Sequence, residues 1–487
     1  MHSHLTNKLR GCLRLIGSVE DPAVIRKIPG HPSLAAQFSR KAVPARWGNT
    51  GQEMYPTRHG VGPHPSPMKN RRASVRLRAM PEQEPTSPRS VRAAINPDLL
   101  VWARETAGLP PDDAAKKIGV KPTRLAEWEA GRLRPTVTQL RKAANVYKRP
   151  LAVFFLQRPP ARPQPLHDFR RFPGREHIRL SPELLLEMRR ARRRRAVVLE
   201  LLDDLERPVT ALPLRASLDD DPEELAARGR DWLRVSVLEQ ARWVAPYEAL
   251  NRWIATFEAH GFLVFQTAEV DLDEMRGFSL TERRLPVIVL NAKDHPRARV
   301  FTLMHEFTHV MLDTGGVCDP ERVARRWRTV DEQIEVFCNH VAGALLVPAE
   351  VLLTDPRVAS SPTRREWPEA MISALAEAFA VSREVILRRL LILGKTTDAF
   401  YERKHREYQA QYAQLAAQAR ERAREQQAYA PVFRIALRDN GRRYTTLVLD
   451  AFERERITAA DVSDYLGVRL KHLELIAGAL ERSRGGA

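Results

Sequence analysis

Cysteine is nearly missing from this chain, with only Cys12, Cys318 and Cys338 among 487 residues. They are widely spaced and form no C-x-x-C pair, so neither a disulfide framework nor a cysteine-based zinc site is indicated. A reducing cytoplasm is the default compartment for such a chain. Long apolar runs are missing too. Nothing approaches the roughly 18 residues that a membrane span needs, and the stretch Leu13–Ile16 is too short for the apolar part of a signal peptide. Negative charge is in deficit: Asp and Glu number 60 against 79 Lys and Arg, a formal net charge of +19. That excess suggests an acidic partner such as nucleic acid, and solubility is an equally physical reading. The length leaves room for about three domains and a large core.

Residues 1–92 have no sustained periodicity. They are rich in Arg, Lys, Pro, His, Ser and Gly and include the basic run Lys69–Arg78. This composition cannot bury enough apolar surface to fold, so the expectation is a disordered basic arm. A start codon placed too far upstream is the other reading, with Met80 as the plausible true start, because ordered patterning begins only near Ile95.

The most chemically explicit stretch is Phe301–Asp313, FTLMHEFTHVMLD. It contains His305-Glu306-Phe307-Thr308-His309, an H-E-x-x-H. Residues four apart share a helix face, with Cβ atoms about 5–6 Å apart, so both imidazoles can reach one zinc ion. Glu306 then faces the metal's open position, where it can take a proton from water. Leu303, Met304, Phe307, Val310, Met311 and Leu312 form a broad apolar band, which predicts a buried helix. Two His and a Glu on a buried helix need compensation, and a metal supplies it.

A catalytic zinc keeps one position open and takes a third protein ligand from another segment. Asp331–Pro348, DEQIEVFCNHVAGALLVP, reads as a second apolar helix closed by Pro348. Glu335, Asn339, Ala342 and Leu346 form one stripe on it. A carboxylate on a buried stripe is costly unless paired or metal-bound, which favours Glu335 as the third ligand. Glu332 and Asp331 lie nearer the helix start, where acids favour the dipole without any metal. His340 is one position off the stripe. Glu332 and His340 remain the alternatives, and manganese or iron is chemically open to a His₂Glu site.

The two blocks together, H-E-x-x-H and then E-x-x-x-N-x-x-A-x-x-L-L-x-P (Glu335, Asn339, Ala342, Leu345, Leu346, Pro348), resemble the ImmA/IrrE-type zinc metallopeptidases. The apolar run Leu285–Asn291 and the later Phe379–Gly394 are similar as well, so the resemblance covers roughly residues 240–400. It implies that His305, His309 and Glu335 hold Zn2+ and that Glu306 is the general base. Phe337-Cys338 stands where that family has a polar residue and Ala, and Cys338 reads as small core packing rather than a fourth ligand.

Residues 95–156 read as short helices: one opened by Asn96-Pro97 and closed by Gly108, then Asp112–Ile118, Pro122–Ala130, Thr136–Tyr147 and Leu151–Leu156. Gly119-Val120-Lys121 makes the turn of a helix-turn-helix. The residues Arg104, Gly108, Leu109, Ile118, Gly119, Val120, Leu125, Trp128, Glu129, Gly131 and Pro135 resemble the pattern of the XRE-type DNA-binding family. That resemblance implies a recognition helix over Lys121–Glu127, with Lys121, Thr123, Arg124 and Glu127 facing DNA. Arg124 and Lys121 suit guanine edges or phosphates. Pro111 stands where a Gln usually contacts DNA, and Asp112-Asp113 oppose a phosphate backbone, so a module kept as a scaffold or protein-docking surface is the competing reading.

Downstream, Pro159–Pro165 reads as a linker, and Ser181 caps a long helix whose Arg189–Ala196 run, RRARRRRA, reads as a solvated basic face. Strand-like runs at Phe262–Phe265 and Val287–Leu290 predict a small sheet beside the HExxH helix, a wall along which a substrate strand can add. Tyr401–Gln427 is a long polar helix. Val432–Leu437 and Tyr444–Leu449 around Asn440-Gly441 read as a hairpin, followed by a helical stretch over Thr458–Leu480. The expected fold class is α+β, mostly α. Its parts are the arm at 1–92, a helix-turn-helix domain at 93–158, a linker and helical connector at 159–245, a metallopeptidase domain at 246–400 and a small α/β C-terminal unit at 401–487. The expected activity is that of a cytoplasmic zinc endopeptidase whose substrate, by resemblance, is a helix-turn-helix repressor, with DNA as a further partner. The cleavage would control stress, mobile-element or toxin–antitoxin genes. The alternative is a transcriptional regulator or toxin–antitoxin component whose zinc site is structural or sensory. The residues name no oligomeric state and no oxyanion donor beyond the metal.

Overall fold

The computed structural model of the chain describes residues 91–161, 167–168, 180–318, 329–361, 364–425 and 430–482. The basic arm through residue 90, with Cys12, Lys69–Arg78 and Met80, lies outside them, as do residues 162–165 of the proline-rich stretch. The architecture is α+β and mostly α.

The first helices form where capping chemistry and apolar spacing agree. α1 (Pro97–Thr106) begins at Asn96, whose side chain accepts from the Asp98 N–H. α2 (Pro111–Ile118) ends on Gly119 at φ 81°, a left-handed position suited to glycine. α3 (Pro122–Glu129) follows, and α4 (Val137–Tyr147) starts from a capping box of Thr136 and Gln139. Leu99, Leu100, Ala103, Ala114, Ala115, Ile118, Leu125, Trp128, Leu140 and Ala143 are buried as expected, and Val120 packs at the edge of their cluster. Arg104 donates to both oxygens of Glu129, at 2.7 and 3.1 Å, which pins α1 to the end of α3.

α5 (Pro182–Asp204) starts at the Ser181 cap. α6 (Pro222–Leu233), α7 (Val237–Ala241) and α8 (Pro246–Ala259) follow. β1 (His167–Asp168), β2 (Leu263–Thr267), β3 (Gly277–Leu280), β4 (Val287–Asn291) and β5 (Gly316–Cys318) make one mixed sheet in the order β1-β5-β3-β4-β2. β2 and β4 are parallel, whereas β3 runs antiparallel to both β4 and β5.

Two helices carry the chemistry, α9 (Pro296–Leu312) and α10 (Val330–Leu346). The short α11 (Ala349–Thr354) and α12 (Pro356–Ala359), then α13 (Glu369–Ala378), α14 (Arg383–Ile392) and the long α15 (Asp398–Glu425), complete that side. One face of the sheet, with Val264, Ile288 and Leu290, shares a core with α6, α8, α9, α10 and α14. The other face, with Leu263, Phe265, Phe278, Leu280, Val287 and Val289, is covered by α5 and the C-terminal helices. Both faces are therefore dry, which suits the continuous apolar runs of β2 and β4.

Two expectations give way here. Val432–Leu437 and Tyr444–Leu449 are not a hairpin but α16 (Val432–Asn440) and α17 (Arg442–Glu453), so the C-terminal unit, with α18 (Ala459–Leu466) and α19 (Leu473–Arg482), is all helical. Phe433, Ala436, Leu437 and Asn440 stand at i, i+3, i+4 and i+7, a helical stripe that outweighs the short alternation. Gly441 still turns the chain, at φ 70°, but a Cβ there would come within 2.5 Å of Val264 O, so its role is a close corner between two helices and β2. The arginine run of α5 is not a solvated face either. Arg195 donates to the carbonyls of Leu285 at 3.0 Å and Arg284 at 2.8 Å, Arg194 lies 5.0 Å over the Phe265 ring, and Arg193 pairs with Asp464.

The C-terminal carbonyls of α10 are closed by side chains distant in sequence. Arg230 Nη1 donates to Leu345 O at 2.5 Å, Gln240 Nε2 to Leu346 O at 2.9 Å and Arg389 Nε to Val347 O at 2.9 Å. Cations at a helix C-terminus also complement its dipole. Arg389, fully buried, donates to both oxygens of Glu223 at 2.6 and 2.8 Å, and His340 Nε2 lies 2.8 Å from the same carboxylate. Burial alone would raise the Glu223 pKa, but His340 and Arg389 together hold it down at about 2, from an ordinary 4.5. Glu223→Ala leaves Arg389 buried without its counter-charge and is expected to cost about 3–5 kcal/mol in urea unfolding at neutral pH. Because the folded pKa is depressed, this contribution is present above the ordinary carboxylate pKa and is lost as pH falls toward about 2. The gap between wild type and variant should therefore close in acid.

Candidate metal and peptidase site

α9 is buried along almost its whole length, because it lies under the sheet with α8 and α10 on its other sides. His305 and His309 are fully buried, one turn apart on the side that meets α10. Their Nε2 atoms approach to 3.1 Å. Glu335, on the buried stripe of α10, brings Oε1 to 3.2 Å from His309 Nε2 and Oε2 to 3.5 Å from His305 Nε2. The donor atoms of His305, His309 and Glu335 all lie within 4.8 Å of one another, the one such group of three among the described residues.

The surroundings aim these donors inward. Asn339 Oδ1, an acceptor, sits 3.1 Å from His305 Nδ1. An oxygen there requires the proton on Nδ1, which leaves the Nε2 lone pair facing the other donors. His309 Nδ1 sits 3.2 Å from the Thr314 hydroxyl, just past the helix end, where Asp313 adopts φ 56° and turns the chain. Burial would raise the Glu335 pKa, but the two imidazoles outweigh it and hold the carboxylate ionised, at about 2. A buried carboxylate and two imidazole lone pairs converging on one point repel each other unless a cation lies between them. The donor set therefore fits zinc, which takes N and O ligands of this kind.

Other candidates fall elsewhere. Asp331 and Glu332 are in the first turn of α10, where the Glu332 N–H donates to the Thr329 cap, and neither is in the cluster. His340 faces Glu223. Cys338 is fully buried against Ile334 and Leu312, its thiol pushed well up first by burial and then by the Glu335 and Glu306 charges, so it is packing rather than a ligand. Glu306 is fully buried on the α9 face that meets β3. A Cβ built on Gly277 of β3 would lie 2.6 Å from Thr302 Cγ2 and 3.1 Å from Glu306 Oε1. The sheet can approach the HExxH turn this closely only because residue 277 has no side chain. Gly277→Ala is expected to cost about 1–3 kcal/mol by overpacking and to shift Glu306, which a fall in urea midpoint together with a fall in kcat would register.

Asn339 and Thr314 carry orienting roles that spacing alone does not assign. Asn339 was visible as a polar residue on the ligand stripe. Thr314 follows the helix terminus, and only the fold brings it back to His309.

In the first bundle, Lys121, Thr123, Arg124 and Glu127 are all exposed on α3, while Leu125 and Trp128 point into the core. Asp112 and Asp113 are exposed in the first turn of α2, behind Pro111. Acids there complement the helix dipole.

Two histidines on one helix and a carboxylate from the next, beside a small mixed sheet, form the donor arrangement of HExxH metallopeptidases. The comparison with known families agrees. Residues 257–391 match the peptidase family model described as IrrE N-terminal-like domain, and residues 100–154 match the model described as helix-turn-helix. The helix-turn-helix segment precedes the peptidase segment. No curated protein matches the chain. Among the described residues, no helix is long and apolar enough to cross a membrane.

Proposed function

We propose that the chain is a cytoplasmic zinc-dependent endopeptidase joined to a DNA-binding helix-turn-helix reader. The observation that carries this reading is the buried His305–His309–Glu335 cluster, with both imidazoles oriented from behind by Asn339 and Thr314. His305, His309 and Glu335 would hold the ion. When bound, zinc supplies Lewis acidity toward a peptide carbonyl and toward water. Glu306, on the turn between the histidines, takes the proton of the attacking water and passes it to the leaving amine. The dry core around α9 keeps these groups fixed and excludes bulk water.

The substrate we propose is a helix-turn-helix repressor of the XRE type, whose cleavage would release stress, mobile-element or toxin–antitoxin genes. The reader supports this by placing Lys121, Thr123, Arg124 and Glu127 on one exposed helix able to address the same operator. Arg124→Ala is expected to weaken binding to a cognate duplex by about 1–3 kcal/mol and to relax preference at one base pair. Equal binding by wild type and variant in a gel-shift titration would remove DNA readout by this helix.

The direct test is incubation of zinc-loaded protein with purified XRE-type repressors, followed by mass spectrometry of the fragments. Cleavage by wild type and none by Glu306→Gln supports the peptidase reading. Identical regulatory activity of the two proteins, without fragments, favours a regulator whose metal is structural or sensory.

A further inference from the structure

The arginine run of α5 contains one member that the fold does not explain. Arg190 pairs with Glu187, Arg193 with Asp464 and Arg195 with Glu282 at 3.7 Å. Arg192 lies in the field of Glu282, and Arg194 in the fields of Glu187 and Asp439. Arg189 differs. No carboxylate among the described residues pairs with it, and its Nε and Nη1 are shielded from solvent with no hydrogen-bond partner.

What Arg189 meets is a second cation. Arg149, just past the end of α4, stacks 4.3 Å above the Trp102 ring, and its Nη2 donates to the Thr106 hydroxyl at 2.8 Å. Its Nε is also shielded and unpartnered, and no carboxylate among the described residues pairs with it. Burial first, and then the Arg189 charge, push the Arg149 pKa down to about 10. The two guanidiniums sit where the helix-turn-helix bundle packs on the start of α5. A Cβ on Gly108 there would come within 2.6 Å of Leu185 Cδ1 and 3.5 Å of Leu180 O. Two like charges held in a desolvated contact oppose folding, and buried N–H groups without acceptors cost more. A tightly packed joint that keeps both is a receptor lacking its anion.

We propose that Arg149 and Arg189 form an oxyanion site at the joint between reader and peptidase, shaped for a phosphate group. Guanidinium forks bind phosphate through paired, charge-assisted N–H donors, and the anion would cancel the repulsion that the joint otherwise carries. The phosphate can belong to a small molecule or to a DNA backbone passing the reader. Either would clamp the bundle against α5, giving the reader a state that reports to the peptidase side of the chain. The site uses no residue of the metal centre, so it stands or falls separately from the peptidase reading.

The test uses the full chain, wild type against Arg189→Gln and Arg149→Lys, at constant ionic strength. Inorganic phosphate and a short nonspecific duplex are titrated in turn, with binding and melting temperature as readouts. Wild type is expected to bind and to melt higher with phosphate, while Arg189→Gln binds about tenfold or more weakly and gains no such shift. Without phosphate, Arg189→Gln should be as stable as wild type or more so, because it removes the repulsion. Arg149→Lys keeps the charge without the fork and should lose part of the affinity. If the duplex responds and free phosphate does not, with a salt slope reduced by about one in Arg189→Gln, the DNA backbone is the source. Equal responses of wild type and Arg189→Gln to both probes, or an Arg189→Gln chain less stable than wild type in their absence, overturn the proposal.

Discussion

Glu306→Gln is expected to abolish peptide hydrolysis while the protein still carries its metal. The substitution keeps the shape of a fully buried side chain and removes only its basicity. It leaves untouched His305, His309 and Glu335, whose donor atoms lie within 4.8 Å of one another. A positioned general base contributes about 10²–10⁴-fold, and in this site the same carboxylate must also return the proton to the leaving amine. The fall in kcat/KM should therefore reach the upper part of that range, with KM little changed, because Glu306 acts on protons rather than on substrate position. Zinc content measured beside kinetics separates the outcomes. Retained zinc with lost turnover supports the assignment. Retained zinc with turnover within tenfold of wild type removes Glu306 as the base, and lost zinc makes it part of the structural support of the site.

The metal cluster was legible in sequence because its chemistry violates its surroundings. Two His and a Glu on the most apolar helix of the chain, and Glu335 on the stripe of the next, are costly unless something compensates. The same logic identified the Asn96 and Ser181 caps, which the structure shows in use. It did not reach contacts made only by the tertiary fold. Arg230, Gln240 and Arg389 closing the end of α10 come from three separate helices, and no local spacing announces them. Gly277 sat in a stretch without strong strand signals, yet pairing with β4 and β5 makes it a strand whose bare face lets the sheet meet α9. The arginine run misled for the opposite reason. Charge alone reads as solvated, but the carbonyls of Arg284 and Leu285 and the ring of Phe265 were waiting for it. The C-terminal turn at Asn440-Gly441 was real, and the error lay in the elements it joins. Six-residue windows cannot separate alternation from a helical stripe that extends to Asn440.

Glu335→Ala is expected to strip the metal without unfolding the chain. Asn339→Ala, which removes only the acceptor behind His305, should weaken metal affinity by about 10–100-fold, the usual effect of an outer partner. Loss of the carboxylate itself removes one of three donors and the one negative charge among them, so its effect must be larger, and purified protein should carry no stoichiometric zinc. The apo fold has a different dependence. Without metal, Glu335 is an ionised group buried between two imidazoles, and replacing it removes a desolvated charge. Apo Glu335→Ala should therefore melt no lower than apo wild type. Zinc should raise the melting temperature of wild type and leave that of the variant unchanged, since stabilisation by a ligand requires its binding to the folded state. Because zinc binding displaces protons from its ligands, the wild-type response should also strengthen as pH rises through the imidazole range. A variant that keeps zinc would place the third ligand elsewhere, with Glu332 the nearest acidic candidate in the same helix. A variant that unfolds without zinc would make Glu335 a packing residue whose partners are the imidazoles themselves.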